Sequence, residues 1–346
     1  MAKYFTFRTK SESVSIQIYK KPFIVLLSLV ALTMMLFITS MSVGSSLIHP
    51  FHSIKHLFGF GLEEHHFVLH TLRLPRIVLS FFVGAALGVS GLILQGIIRN
   101  PLASPDIIGI TGGATVGALT FIVLFAGAVS MQWLPLAAFL GAAIVSVVIY
   151  LLSWKKGVTP IRLVLIGIGV AATMSALTTM MIVLSDTMAV TRAYLWMTGS
   201  LYGANWQDVY LILPWVLIFI PLALFFSRVV DVKELGDDVA VGLGIHVQLH
   251  RFMLLFVSVA LAGAAVATAG GISFVGLMAP HIARMLAGRS FASLVFISAF
   301  IGGMIVIIAD TVARTAFVPL DIPAGVFTAG IGAPFFIYLL YRNRNM

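Results

Sequence analysis

Ten apolar stretches follow one another along this chain, and almost every charge falls between them. Most reach the ~20 residues that a membrane helix needs. A segment of this kind finds no water for its backbone, so it must close its hydrogen bonds internally as a helix. Only 10% of the residues are charged and 60% are hydrophobic, whereas soluble domains carry about 25% charge. The fold class that follows is all-α: a polytopic membrane protein of about ten transmembrane helices, with no length left for a soluble catalytic domain. The stretches are Phe23–Val43, Phe67–Ile98, Ile107–Ala126, Leu134–Trp154, Ile161–Leu184, Val209–Ser227, Phe252–Ala269, a short Pro-containing Ile272–Leu286, Phe291–Ala313 and Ile322–Tyr341.

Ten crossings put both termini on one side. Five of the 21 Lys and Arg residues, Lys55, Arg73, Arg76, Arg192 and Arg314, then fall on the opposite side, and the other sixteen share the side of the termini. The positive-inside rule makes that side cytoplasmic. Residues 1–21 read as a basic cytoplasmic tail and 22–346 as a single transmembrane domain, with a cytoplasmic loop at about 228–251. The net charge of +9 sits at helix ends, which argues against a nucleic-acid partner. The absence of cysteine removes disulfides and thiolate chemistry. Phe23–Val43 is too long for a signal-peptide core and lacks a cleavage pattern, so it reads as the first crossing. Gly84/Gly88 and Gly109/Gly113/Gly117 have the spacing of close helix–helix contacts.

The second crossing opens on Leu72-Arg73-Leu74-Pro75-Arg76 and is followed by Asn100-Pro101-Leu102-Ala103. Two guanidinium groups at the start of an apolar helix are costly unless they lie at a water interface and serve something there. The Asn-Pro break frees backbone groups that must face protein or a watery path. Such a helix suits a transport pathway. No G-x-x-x-x-G-K-[ST] phosphate loop occurs. Nor does an acidic pair lie deep in a crossing: Asp310 is near a helix end, Asp106 follows the break, and Asp186, Asp208 and Asp321 are interfacial. Energy must therefore come from a partner, or the chain is a passive pore. The polar run Asp231–Gly244 accommodates a short helix ended by Gly242 or Gly244, and reads either as a solvated connector or as a docking element. His49, His52, His56, His65, His66 and His70 crowd the first outer loop. They read as a metal or pH-sensing patch, or as a solvated loop of uneven composition, which composition alone favours.

Several short motifs occur in a fixed order. They are Leu-Arg-Leu-Pro-Arg, Asn100-Pro101-Leu102-Ala103 with Pro105 and Gly109, Glu234…Ala240…Leu243-Gly244, Gly276-Leu277-x-x-Pro280-His281-x-x-Arg284, Ala309-Asp310-x-x-Ala313-Arg314 and Gly332-Ala333-Pro334. The ordered set resembles the permease subunits of iron–siderophore and cobalamin ABC importers, from Phe23 onward. The resemblance implies a cobalamin-importer-permease-like fold, a second permease subunit (identical or related), a cytoplasmic ABC ATPase dimer and an extracytoplasmic substrate-binding protein or lipoprotein. It implies that Arg73, Arg76 and Arg314 meet acidic residues of the binding protein. Asn100, Leu102 and Thr159 would form the inner gate, and Glu234, Gly236, Ala240, Leu243 and Gly244 the ATPase-coupling element. Pro280, His281 and Arg284 would break and anchor the short eighth segment or act functionally near the inner face. No catalytic residue, metal or cofactor is implied. The function expected is import of a ferric siderophore across the cytoplasmic membrane by alternating access. Cobalamin or haem import is the neighbouring alternative, and an ion-coupled secondary carrier or an intramembrane enzyme the alternative from another class.

Overall fold

The computed structural model describes residues 4–8, 15–44, 46–57, 59–60, 63–125 and 128–342. It opens with a hairpin, β1 (Tyr4–Arg8) paired antiparallel with β2 (Ser15–Tyr19), Tyr4 facing Tyr19. The basic tail read over residues 1–21 thus contains secondary structure that the sequence reading did not assign. The reason is local: aromatic or β-branched residues alternate with polar ones in both segments. Everything that follows is helical apart from turns and loops. α1 (Lys20–Ser42) makes the first apolar helix. The first loop carries α2 (Pro50–Leu57) and α3 (Glu63–His66). α3 continues through a π-helical stretch, Phe67–Arg73, into α4 (Leu74–Ile98).

The remaining helices are α5 (Ile110–Phe125), α6 (Leu134–Leu152), α7 (Pro160–Leu184), α8 (Thr187–Met197), α9 (Trp206–Phe225), α10 (Ser227–Lys233), α11 (Asp237–Gly242), α12 (Val247–Ala269), α13 (Val275–Ala287), α14 (Phe291–Thr315) and α15 (Ala324–Arg342). Among the described residues, eight helical spans are long and apolar enough to cross a membrane, and α5 and α13 are shorter apolar helices. Together they account for the ten apolar stretches of the sequence. Pro280 does not break the eighth of these, because α13 runs through it to Ala287.

α4 is the axis of the bundle. In its span 83% of the most apolar stretch is buried, against 17% in α1 and in α7. It packs on α14, α12, α13 and α9. A methyl group on Gly84 would lie 2.1 Å from the Gly302 carbonyl oxygen, and one on Gly91 would lie 1.8 Å from that of Gly276. The backbones of α4, α13 and α14 therefore touch, which only glycine permits. Gly113 and Gly117 face α6 in the same way, whereas Gly109 ends a 3-10 turn at φ +65°. The exposed Leu, Ile and Phe side chains of α1, α6 and α7 suit lipid or a second subunit.

Two ends of the bundle can be told apart. At the first-loop end the close of α1, the start of α4 and the close of α14 converge, joined by Arg73 and Arg314. At the opposite end α10 meets the start of α14, where the Phe291 backbone N–H donates to Asp231 at 2.9 Å.

Candidate functional site

At the first-loop end, Arg73, Arg76 and Arg314 are brought together but turned inward. Arg76 lies between two carboxylates. Its Nε donates to Asp310 Oδ1 at 2.9 Å, and its two terminal nitrogens donate to Asp321 at 2.7 and 2.9 Å in a bidentate fork. Asp310 is 1% exposed and Arg76 11%. Arg73 donates to the carbonyls of Met41 and Ser46, both at 2.6 Å. Arg314 donates to the carbonyls of Val43, at 2.8 Å, and Ser40, and its Nε stands 3.8 Å from Asp310. The last carbonyls of a helix have no partner within it and attract cations, so Arg73 and Arg314 close the end of α1. The two arginines at 73 and 76 thus reach different partners. Asp310 lies near the end of α14, as its sequence position requires, yet it is buried. Beside this network is a cavity of about 640 Å³ walled by Arg73, Arg76, Arg314, Tyr202 and Asp321.

At the opposite end, α4 stops at Arg99, whose left-handed backbone (φ 54°, ψ 37°) turns the chain out of the helix. Outside glycine that conformation costs roughly 1–2 kcal/mol. Asn100 then folds on itself, its Oδ1 accepting the Leu102 N–H at 2.9 Å. Asn100 is exposed and Leu102 half-buried. Thr159 is exposed at the start of α7.

One carboxylate links these two turns. Asp237 at the start of α11 accepts from Arg99 on one oxygen and from Arg251 of α12, at 2.8 Å, on the other. Arg251 is 1% exposed and also donates to the Val158 carbonyl. Gln248 accepts the Val158 N–H at 2.9 Å. The backbone next to Thr159 and the backbone next to Asn100 are therefore joined through α11. None of Arg99, Asp237, Arg251 and Val158 was singled out in the sequence, where the salt bridge from Arg99 spans more than a hundred residues.

The polar run carries the expected short helix in its middle, α11, which ends at Gly242, and a second short helix, α10, precedes it. Gly236 caps α11 at φ +125° and Gly244 follows it at φ +79°, so both sit where other residues are strained. Ala240 is fully buried, while Glu234, Leu243 and Gly244 are exposed. Leu235, Val239 and Val241 add apolar surface on the same element. Lys233 is 3% exposed and its Nζ has no partner among the described residues. Burial and the nearby Arg251 bring its pKa down to about 8. Burial also raises the Glu234 carboxyl, while Asp237 is held below the usual carboxylate range because Arg251 and Arg99 outweigh its own burial. Behind this end Arg284 of α13 donates to Gln95 of α4, and His281 stacks edge-on against Phe335. That is an anchoring arrangement, with no nucleophile or metal-ligand set beside it among the described residues.

The FecCD transport family model matches residues 32–342. The chain belongs to the FecCD transport family. It is similar to the achromobactin transport system permease protein CbrC of Dickeya dadantii, 45% identical over 91% of this chain and 90% of that one. It is also similar to the iron(3+)-hydroxamate import system permease protein FhuG of Bacillus subtilis, 42% identical over 93% and 98%. Among solved structures, a metal-chelate type ABC transporter in an inward-facing conformation superposes with a TM-score of 0.81 at 30% identity, over 92% of this chain and 99% of that one. This FecCD permease is accordingly a predominantly α-helical, multi-pass transmembrane transport subunit, built like the permeases of iron-chelate ABC importers.

Proposed function

We propose that this permease carries ferric siderophores inward across the cytoplasmic membrane by alternating access. It does so beside a second permease subunit, driven by a cytoplasmic ABC ATPase dimer and loaded by an extracytoplasmic binding protein or lipoprotein. The siderophore class rests on the relatives, whose names specify achromobactin and iron(3+)-hydroxamate. The observation that carries the mechanism is the Arg99–Asp237–Arg251–Val158 bridge, because it ties a short exposed helix to both candidate gate turns. The end holding this bridge is the inner one, and both termini share it. A push on α11 then moves the segments bearing Asn100, Leu102 and Thr159 together. Glu234, Gly236, Ala240, Leu243 and Gly244 belong to the surface that the ATPase pushes.

The cavity at the first-loop end is the outer mouth, where the binding protein docks. Three arginines against Asp310 and Asp321 leave one net positive charge there, which favours an acidic partner. Since the donors of Arg73, Arg76 and Arg314 are mostly engaged within the chain, these residues shape the mouth more than they offer free forks.

The test is uptake of radioactive ferric siderophore by cells deleted for this permease and complemented with it. The expected result is restored uptake that survives a protonophore and stops when ATP is depleted. Uptake that follows the proton or sodium gradient would make the protein a secondary carrier. Restored uptake of cobalamin or haem in place of the ferric chelate would move the substrate class.

A further inference from the structure

The first loop holds a cluster that the transport reading does not use. His56 projects from α2, and His66 and His70 from the end of α3 and the π-helical stretch after it. One ring nitrogen from each lies within 4.8 Å of the others. Ring centroids are 5.3 Å apart for His56–His66, 5.0 Å for His56–His70 and 4.7 Å for His66–His70. Residues four apart on a helical face meet, which brings His66 and His70 together, and α2 supplies the third ring.

Composition alone favours a solvated run of histidines, but ring proximity sets this trio apart and burial sets His56 apart from the other histidines. His56 is 5% exposed, and its Nε2 has no hydrogen-bond partner among the described residues. A buried ring nitrogen normally finds a donor, an acceptor or an ion. Among the described residues no carboxylate completes the set, which suits a borderline metal bound by imidazole rather than a hard cation that wants oxygen.

We propose that His56, His66 and His70 form a site for one borderline divalent transition-metal ion, zinc by chemistry, with a fourth position open to water. Zinc–nitrogen bonds of about 2.0–2.1 Å set the ligand nitrogens roughly 3.3 Å apart in a tetrahedron. Small ring rotations at exposed His66 and half-buried His70 close that gap. The ion would pin α2 to the π-helical stretch, which a π-turn's frequent place at functional sites makes a natural position. That stretch supplies Val68, Thr71, Leu72 and Arg73 to the wall of the mouth, and the His70 carbonyl accepts the Trp206 indole N–H at 3.2 Å. The metal therefore braces the mouth and does not depend on which chelate passes through it.

The test uses the full-length permease in detergent, purified on a tag without histidine and stripped with EDTA. Zinc is added, excess is removed, and retained metal is counted by mass spectrometry. Cobalt replaces it for visible spectra, and thermal unfolding is followed with and without zinc. The expected result is one ion per chain, strong cobalt bands of four- or five-coordinate geometry, and a zinc-dependent rise in Tm. His66→Gln and His70→Gln should weaken zinc by at least the ~10–100-fold that disturbing a ligand's hydrogen-bond partner costs. His56→Gln should do the same, while His49→Gln and His52→Gln should bind like the wild type. Less than a stoichiometric ion at micromolar zinc would overturn the proposal. So would equal losses in the control variants, the signature of a diffuse histidine-rich surface.

Discussion

Two arginine clusters stand at opposite ends of α4, and they are satisfied differently. At the first-loop end three arginines close on two carboxylates and on the last carbonyls of α1, with Asp310 almost wholly shielded. At the opposite end Arg99 and Arg251 share the single carboxylate of Asp237, which is 38% exposed, and Lys233 is buried beside it without a partner among the described residues. The outer cluster is a finished piece of structure. The inner one is unfinished, with exposed Leu235, Val239, Val241 and Leu243 around it. Breaking the first should therefore cost stability, and breaking the second should cost coupling.

The largest effect is expected at Asp310. Asp310→Asn removes a buried charge partner from Arg76, and losing one side of such a pair costs about 3–5 kcal/mol. Thermal unfolding in detergent should show a much lower Tm, with Asp321→Asn milder because Asp321 is 24% exposed. Equal and small effects of the two would mean that the outer network is not structural. Next comes Leu243→Glu on the exposed end of α11. It should leave stability within about 0.5 kcal/mol yet weaken ATPase co-purification by the ~2 kcal/mol of an interface anchor. Unchanged co-purification would place the contact elsewhere.

Asp237→Asn separates the readings most cleanly. Its ion pairs are partly exposed, so stability should change by only about 0–1 kcal/mol. ATP-driven uptake should nevertheless fall about tenfold, equivalent to ~1.4 kcal/mol of coupling. A parallel fall in stability and uptake would make Asp237 a structural residue like Asp310.

The smallest effect concerns Lys233. Its folded pKa of about 8 lies below the unfolded value of about 10.4. Between these values the unfolded chain binds more protons, so stability should rise with pH from about 8 to about 10. Tm measured across that range should climb in the wild type and climb less in Lys233→Met. Matching slopes would mean that Lys233 is not buried uncompensated.

Legibility in the sequence followed the range of the interaction. Helix existence is local: hydropathy gave the ten apolar helices, with most ends within a few residues, and Gly84, Gly88, Gly113 and Gly117 announced their packing by spacing. The ordered motifs gave the family. The inner bridge was not legible, because nothing in the chain says that Arg99 will choose Asp237 over the other carboxylates. The inward turn of Arg73 and Arg76 was missed for a related reason. The groups that turn them inward, the Met41 and Ser46 carbonyls and the carboxylates of Asp310 and Asp321, come from other parts of the chain. The hairpin at Tyr4–Arg8 and Ser15–Tyr19 was not read from the sequence, although residue types alternate in both of its segments.

The central claim is that ATP hydrolysis at the inner end drives a ferric chelate through this permease. Its most direct test is the initial rate of chelate accumulation by liposomes holding the permease with its partner subunits, with the loaded binding protein added outside. The account predicts uptake that requires ATP on the ATPase side and the binding protein on the other, and that persists when proton and sodium gradients are collapsed. Uptake without the ATPase, or uptake driven by an imposed ion gradient, would contradict it.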